Sequence, residues 1–344
     1  MKVADSDLLD EESVARFSEP NMGRWLLAAA AEWAIMIAAL AVAIRWQYWW
    51  VWLPAAVLIG TRQNALGVLT HEGAHKNVSR SLFWNDLLSN WLVSYPIGVS
   101  AEGFRTAHMT HHARLEMPDD PSRIGFDTFP HDWHFPMTRW KIFTTLLRDV
   151  TGIGQAQSSI AMMRYVWSTK RRQQGKSIAG GYKKHVLRIA LLHGAVIALA
   201  IETGTLPVYL LLWILPNFTL NLMLYRVRGG AEHTAMTANE LRYSRDKVDP
   251  LQTTRTVIPS APMRLFAVPH NVSYHLEHHL FPDVPFFRLR ELHERLMQNP
   301  RFREQAHITY GHRALVRELT SEIAPPRGGV STASAPLAES HALS

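Results

Sequence analysis

Long apolar runs alternate with polar stretches along the chain, and the apolar runs predict helices that cross a membrane. The first, LLAAAAEWAIMIAALAVAI from Leu26 to Ile44, has the length of a span. Glu32 falls inside it, which is costly unless it lies near an interface or faces other protein. After the turn RWQY a second run begins near Trp49 and continues through VWLPAAVLIG towards Leu69. Arg62, Gln63 and Asn64 interrupt it, so its second half is expected to leave the lipid or face a polar interior, with Pro54 as a bend. Residues 83–99, FWNDLLSNWLVSYPIGV, are broken by Asn85, Asp86, Asn90 and Pro96 and read as a re-entrant or interfacial segment. A third run, Val186 to Ile201, is short, with Arg188 snorkelling from its start and His193 nearer its middle. Only ETGT separates it from a fourth, Leu206 to Tyr225, so the two form a helical hairpin.

The polar stretches set the topology. Residues 1–20 are acidic and polar and lack the basic region and cleavage pattern of a secretory signal, so they read as a loose or surface-lying arm. Residues 100–185 carry many positive charges, with an apolar-basic stretch around 141–165 that suits either an amphipathic helix on the membrane surface or an ordinary helix of a soluble cap. Arg and Lys concentrate there and after residue 225, while the turns at 45–48 and 202–205 carry one between them. The positive-inside rule then puts both large polar sections and both termini in the cytoplasm, and the protein in an inner, cytoplasmic membrane. The expected fold is all-α: an integral membrane helical bundle of about four transmembrane helices with a cytoplasmic histidine-rich cap. It forms a single domain over residues 21–320, followed by a tail of disordered composition at 321–344.

Composition alone would hide this pattern, because apolar residues make up an ordinary 47% of the 344 and the mean hydropathy is −0.08. Trp46, Trp49, Trp50 and Trp52 cluster at the edges of apolar runs, where interfacial anchors are expected. The formal charge of +7 has no basic helix or aromatic-basic interleaving behind it, so a charged face beside anionic lipid is expected and nucleic acid is not. The absence of cysteine excludes disulfides, thiolate metal sites and a fused iron-sulfur centre.

Candidate chemistry lies in the histidines. His71 and His75 stand in HEGAH, His108, His111 and His112 in HMTHH, His275, His278 and His279 in YHLEHH, and His233 in GGAEH. Spacings of three and four put imidazoles on one face of a helix. The adjacent pairs 111/112 and 278/279 point about 100° apart on a helix and so can serve different ions. Nine possible ligands exceed what a single ion uses. Nitrogen donors suit iron, zinc, copper or nickel over calcium or magnesium, without choosing among them. The isolated His131, His134, His193, His293 and His312 read as surface or hydrogen-bonded residues. All four groups fall on the side that the charge rule calls cytoplasmic.

The three boxes in this order around paired apolar runs, with the continuation HLFPDVPFFRLRELH, closely resemble the membrane fatty acid desaturase and hydroxylase superfamily, over about residues 60–295. The resemblance implies a centre of two iron ions at the cytoplasmic mouth of a helical bundle, using O2 and supplied electrons to attack an unactivated C–H bond. Carried over residue by residue, the ligands are His71, His75, His108, His111, His112, His275, His278 and His279, with His233 as the ninth. Glu72, Glu232 and Glu277 are candidates to orient imidazole N–H groups. Asn271 and Asn221 are candidates for an asparagine acting through water. Arg105 is a candidate to hold one of the acids or to meet a lipid headgroup, and Asp119 and Asp120 to cap a helix or neutralise the same surface. A narrow apolar channel to the metals is expected to suit an acyl or terpenoid chain.

The expected function is desaturation of the acyl chain of a lipidic substrate by a membrane-bound oxidoreductase. Hydroxylation or ketolation of a lipid, carotenoid or alkane is the alternative within the superfamily. Metal transport or a metal-stabilised membrane scaffold is the alternative outside it, and boxes lying outside the apolar runs speak against a conduction path. With no fused electron carrier in sight, electrons are expected from a separate ferredoxin, rubredoxin or cytochrome b5-type donor. Lys170, Arg171 and Arg172 are candidates to steer an acidic carrier.

Overall fold

The computed structural model describes residues 7–122, 135–157, 160, 179–234 and 248–320. Lys170, Arg171, Arg172, His131, His134 and the tail from 321 lie outside them.

Helix α1, Glu11–Phe17, is capped by Asp10, which accepts from the Ser13 amide at 2.8 Å. Of the arm expected to be loose or surface-lying, the described part from residue 7 packs on the protein: Leu8, Leu9 and Phe17 are buried with Leu276, Leu292, Leu296 and Phe302. Helix α2, Met22–Arg45, buries Trp25, Ala29, Glu32, Met36, Ala39 and Ala43. Their spacings of four and three make one stripe, and that stripe lies on α3, Trp49–Ala74. At roughly 1.5 Å per residue α3 extends about 39 Å. Pro54, inside the second turn, removes the amide that would pair with the Trp50 carbonyl but does not end the helix, and from Ile59 onward almost every side chain is buried.

The chain then folds into α4, Leu82–Leu88, a π-helical turn at Ser89–Ser94 and a 3-10 turn at Tyr95–Ile97. Helix α5 is Ala101–Ala113, with Ser100 as its cap, and α6 is Arg139–Val150. The helical hairpin is α7, Ala179–Glu202, followed by α8, Leu206–His233, joined by the expected turn. Short elements complete the chain: α9, Pro250–Thr253; β1, Thr256–Ile258; α10, Ala261–Phe266; α11, His275–Leu280; α12, Leu289–Leu296; α13, Pro300–Gln305; β2, Ile308–Tyr310; and α14, Gly311–Thr320. The strands pair in parallel, Thr256 opposite Ile308 and Ile258 opposite Tyr310, the one departure from an all-helical reading among the described residues.

Among the described residues three helices are long and apolar enough to cross a membrane: α2, Lys183–Glu202 of α7, and α8. The sequence predicted about four spans. The difference is α3, which has the length but turns polar at Thr61. Arg62 Nη1 lies 3.2 Å from Glu32 Oε2 of α2, and Gln63 and Asn64 donate to the carbonyls of Trp213 and Ala267 at 2.8 and 3.0 Å. Glu32 thus faces other protein, with His270 Nε2 at 3.0 Å from its second oxygen.

Helix α8 contains π-helical turns at Tyr209–Ile214, Asn217–Asn221 and Gly230–Thr234. Such turns shift the backbone ladder and free carbonyls that must find donors inside the protein. Gln63 of α3 donates to the Trp213 carbonyl of α8, and side chains of α8 and α2 donate in turn to carbonyls of the irregular segment 89–97. Trp213 Nε1 donates to Pro96 O at 3.0 Å, Asn217 Nδ2 to Ile97 O at 3.2 Å, and Trp33 Nε1 to Leu92 O at 2.7 Å. At Gly60 a Cβ would stand 3.0 Å from Leu220, so glycine lets α8 approach α3 closely. Helix α3 ends at the first histidine box, held there by neighbours on every side.

Candidate metal centre

Four segments converge. The end of α3 supplies His71 and its cap His75; α5 supplies His108, His111 and His112; the last π-helical turn of α8 supplies His233; and α11 supplies His275, His278 and His279. Ligand-capable nitrogens of His71, His75, His108, His112 and His278 lie within 4.8 Å of one another, and those of His111, His233 and His279 form a second such group. His275 joins the second, with its Nε2 at 2.7 Å from His233 and 3.0 Å from His279. The adjacent pairs divide between the groups, His112 and His278 to one and His111 and His279 to the other, as their angular separation on a helix dictates.

The arrangement fits metal ions. Two imidazole nitrogens each about 2.1 Å from one ion at a right angle stand about 3.0 Å apart. His108 and His112 Nε2 are separated by 3.0 Å, and His112 and His278 by 3.1 Å. Buried nitrogens without a hydrogen-bond partner include His71 Nδ1, both ring nitrogens of His75, His233 Nδ1 and His278 Nδ1. Each such orphan costs about 1–3 kcal/mol, a penalty that ligation removes at His75, whereas His233 and His278 turn Nε2 inward and leave Nδ1 on the far side of the ring. Burial pushes the imidazoles of His112, His275, His278 and His279 well below the ordinary histidine range, and repulsion from neighbouring imidazoles adds to it. They are therefore neutral, the form that ligates.

The surrounding acids take distinct places. Glu72 accepts from the Phe286 amide at 3.0 Å and lies 3.8 Å from His71 Nδ1. Glu232 lies 3.4 Å from His275 Nδ1 and 3.6 Å from Arg228. Glu277, although inside the third box, turns away from the imidazoles: it meets His293 Nδ1 at 2.6 Å and accepts from the Thr256 hydroxyl, so it fixes the box from behind. His293, expected to be an ordinary hydrogen-bonded histidine, is that, with this added brace. Arg105 holds none of these three acids. It donates to the carbonyls of Ala74 and Gly73 at 2.9 and 2.8 Å and pairs with Asp86, tying α5 to the end of α3. Asn271 donates to Phe286 O at 3.0 Å and Asn221 to Asn217 Oδ1 at 2.8 Å, and neither bond reaches a box histidine.

The acid that most directly meets a box histidine is Asp120. Its oxygens stand 2.9 and 3.0 Å from His111 Nδ1, and it also accepts from the amides of Glu116 and Ser122. From sequence it read as a helix cap or surface neutraliser, while its neighbour Asp119 pairs with Arg114 at 3.5 Å. An acid nine residues from the histidine it meets follows no helical period. Asn85, which donates to Gly73 O at 2.9 Å, went unassigned for the same reason.

Apolar helices that carry a converging set of neutral imidazoles at one end define a class, the helical membrane protein with a candidate metal centre. The chain belongs to the fatty acid desaturase family, whose model matches residues 47–311, well over half its length. It is similar to dihydrorhizobitoxine desaturase of Bradyrhizobium elkanii, 25% identical over 279 residues that cover 79% of this chain and 75% of that protein. It is also similar to Delta(6)-fatty-acid desaturase fat-3 of Caenorhabditis elegans, 23% identical over 72% of this chain and 58% of that one. A shorter match, 37% identical over 67 residues, is to Delta(5) fatty acid desaturase fat-4 of the same animal, covering 20% of this chain and 15% of the relative.

Proposed function

We propose that the chain is a membrane-bound oxidase that introduces a double bond into the acyl chain of a lipidic substrate, with two iron ions held by nine of its histidines. The observation that carries this reading is the convergence of those histidines in two groups in a member of the desaturase family. His71, His75, His108, His112 and His278 would hold one ion, and His111, His233, His275 and His279 the other. The ions, when bound, supply the oxidising power for C–H cleavage with O2. Dioxygen takes four electrons to become two waters: two leave with the substrate hydrogens and two come from a separate ferredoxin, rubredoxin or cytochrome b5-type donor.

The chain's own residues orient and shield. Asp120 accepts the His111 N–H and Glu232 faces His275 Nδ1, fixing which ring nitrogen points inward. Arg105 and Asn85 hold the end of α3 so that His71 and His75 keep their direction. The bundle end excludes bulk water, and the boxes lie on the cytoplasmic side that the positive charges favour.

A specific observation also favours a second substrate class. The relative matched over 75% of its own length is named for dihydrorhizobitoxine rather than for a fatty acid. The test is mass spectrometry of lipids and small-molecule extracts from a host expressing the chain with a compatible reductase, beside a host expressing the His275→Ala, His278→Ala variant. Lipid species lacking two hydrogens, absent with the variant, are expected. The same loss confined to the small-molecule extract moves the substrate to the second class, and one added oxygen moves the reaction to hydroxylation. Purified protein is expected to hold two irons per chain.

A further inference from the structure

Helix α6 has two apolar sides where a helix on a soluble surface needs one. Ile142 and Leu146 turn inward onto a cluster that includes Met137, Val257, Leu315 and Leu319. On the other side Trp140, Phe143, Leu147 and Val150 follow at spacings of three, four and three and are 71%, 54%, 52% and 45% exposed. A stripe of that size in water is unusual and marks something that covers it.

Charge and position identify the cover. The exposed side bears Arg139 and Lys141, and the helix's single acid, Asp149, is buried, with Arg226 of α8 at 2.9 Å. After α6 the chain passes Gly152, where a Cβ would stand 3.5 Å from Thr219 of α8. Helix α6 is therefore fastened beside the part of α8 between Thr219 and Arg226, about two to four turns before His233. Leu215, Phe218 and Tyr225, in and just before that part of α8, are themselves about half exposed, as lipid-facing residues of a span are.

We infer that α6 lies in the interfacial zone of the bilayer, with Trp140, Phe143, Leu147 and Val150 among acyl chains and Arg139 and Lys141 at anionic phospholipid headgroups. A basic edge above an apolar stripe, continuous with a membrane span and free of exposed acid, is the chemistry of an interfacial helix. This surface is separate from the metal centre and does not depend on which metal or substrate it takes. Its role is to fix the depth of the end of α8, through Asp149 and Arg226, relative to the membrane surface.

The chain lacks cysteine, so single cysteines can be labelled without background. Phe143→Cys, Leu147→Cys and Lys141→Cys would each carry a nitroxide in the full-length protein in vesicles containing anionic phospholipid. Leu191→Cys, on the exposed side of α7, serves as the lipid reference and verifies insertion. Relaxation by dissolved oxygen is compared with relaxation by a water-soluble nickel chelate. Labels at 143 and 147 are expected to favour oxygen several-fold over the label at 141 and to approach the reference at 191. Labels at 143 and 147 as open to the chelate as 141 would overturn the inference, as would shielding from both agents, which would indicate a protein partner or a second copy. Either failure leaves the metal reading intact, because no label reports on it.

Discussion

Asp120 shows how a single residue governs the candidate centre. Its carboxylate lies within hydrogen-bond reach of His111 Nδ1 and is buried, so it holds the imidazole in one tautomer with Nε2 directed at the second histidine group. Asp120→Asn is expected to weaken metal binding by roughly 10- to 100-fold, as loss of such a partner does elsewhere. Titration with a chelator and metal analysis of the purified variant measure it; wild-type retention would show that His111 needs no orienting acid. The box histidines were legible from sequence because periods of three and four encode a shared helix face. Asp120 was not, because it reaches His111 through a turn in which Glu116 takes a φ of +62° and Asp120 N donates to Met117 O. Glu277 went the other way: its place inside the box suggested an acid beside the imidazoles, and the rotation of α11 sends it to His293 and Thr256.

Among the elements, α3 departs most from its expected form. Its polar half was legible as a break in the apolar run, but its partners were not, since Glu32 lies 30 residues before Arg62 and His270 more than 200 after it. A buried charge keeps its ionised form only with a partner, and here the pair joins α2 to α3 while the Arg62 guanidinium also donates to Leu265 O. Glu32→Ala strands Arg62 in the bundle and is expected to cost about 3–5 kcal/mol, whereas replacing both by methionine is expected to cost far less. Thermal unfolding of detergent-solubilised protein distinguishes the two; equal losses would show that the charges themselves carry no special cost. The Glu32, Arg62 and His270 contacts also hold the segment leading to the third box against the spans. The interrupted segment at 83–99 was legible as irregular, and its π-helical form is what lets side chains of α2 and α8 reach its carbonyls.

At the scale of the whole molecule, the centre couples folding to pH. An unfolded histidine takes up a proton as the pH falls through about 6.5, while His112, His275, His278 and His279 in the folded protein resist protonation until well below that. Below about 6.5 the unfolded chain therefore binds more protons, and stability falls as the pH falls. Above that value both states are neutral and these groups add no pH dependence. Glu72, which burial pushes up to about 7, works the other way and lowers stability as the pH rises from about 4.5 through 7, so the thermal midpoint of metal-free protein is expected to drop steadily below 6.5, where the histidines outnumber it, with loaded protein releasing its metal over the same range. A midpoint unchanged down to pH 5 would mean that the imidazoles are open to protonation in the folded state.

The sequence by itself determined the apolar runs, the order of the histidine boxes, the helical hairpin and the family, because each of these is written in neighbours only a few residues apart. Tertiary structure alone decided which imidazoles share a group, which acid meets which ring, that the N-terminal arm docks on the third box through Leu8, Leu9 and Phe17, and that α6 keeps an uncovered apolar side. The physical reason is the same throughout. Local periodicity fixes the face of a helix on which a side chain stands, but contact between faces depends on how distant segments turn and pack, and that information is spread over the whole chain.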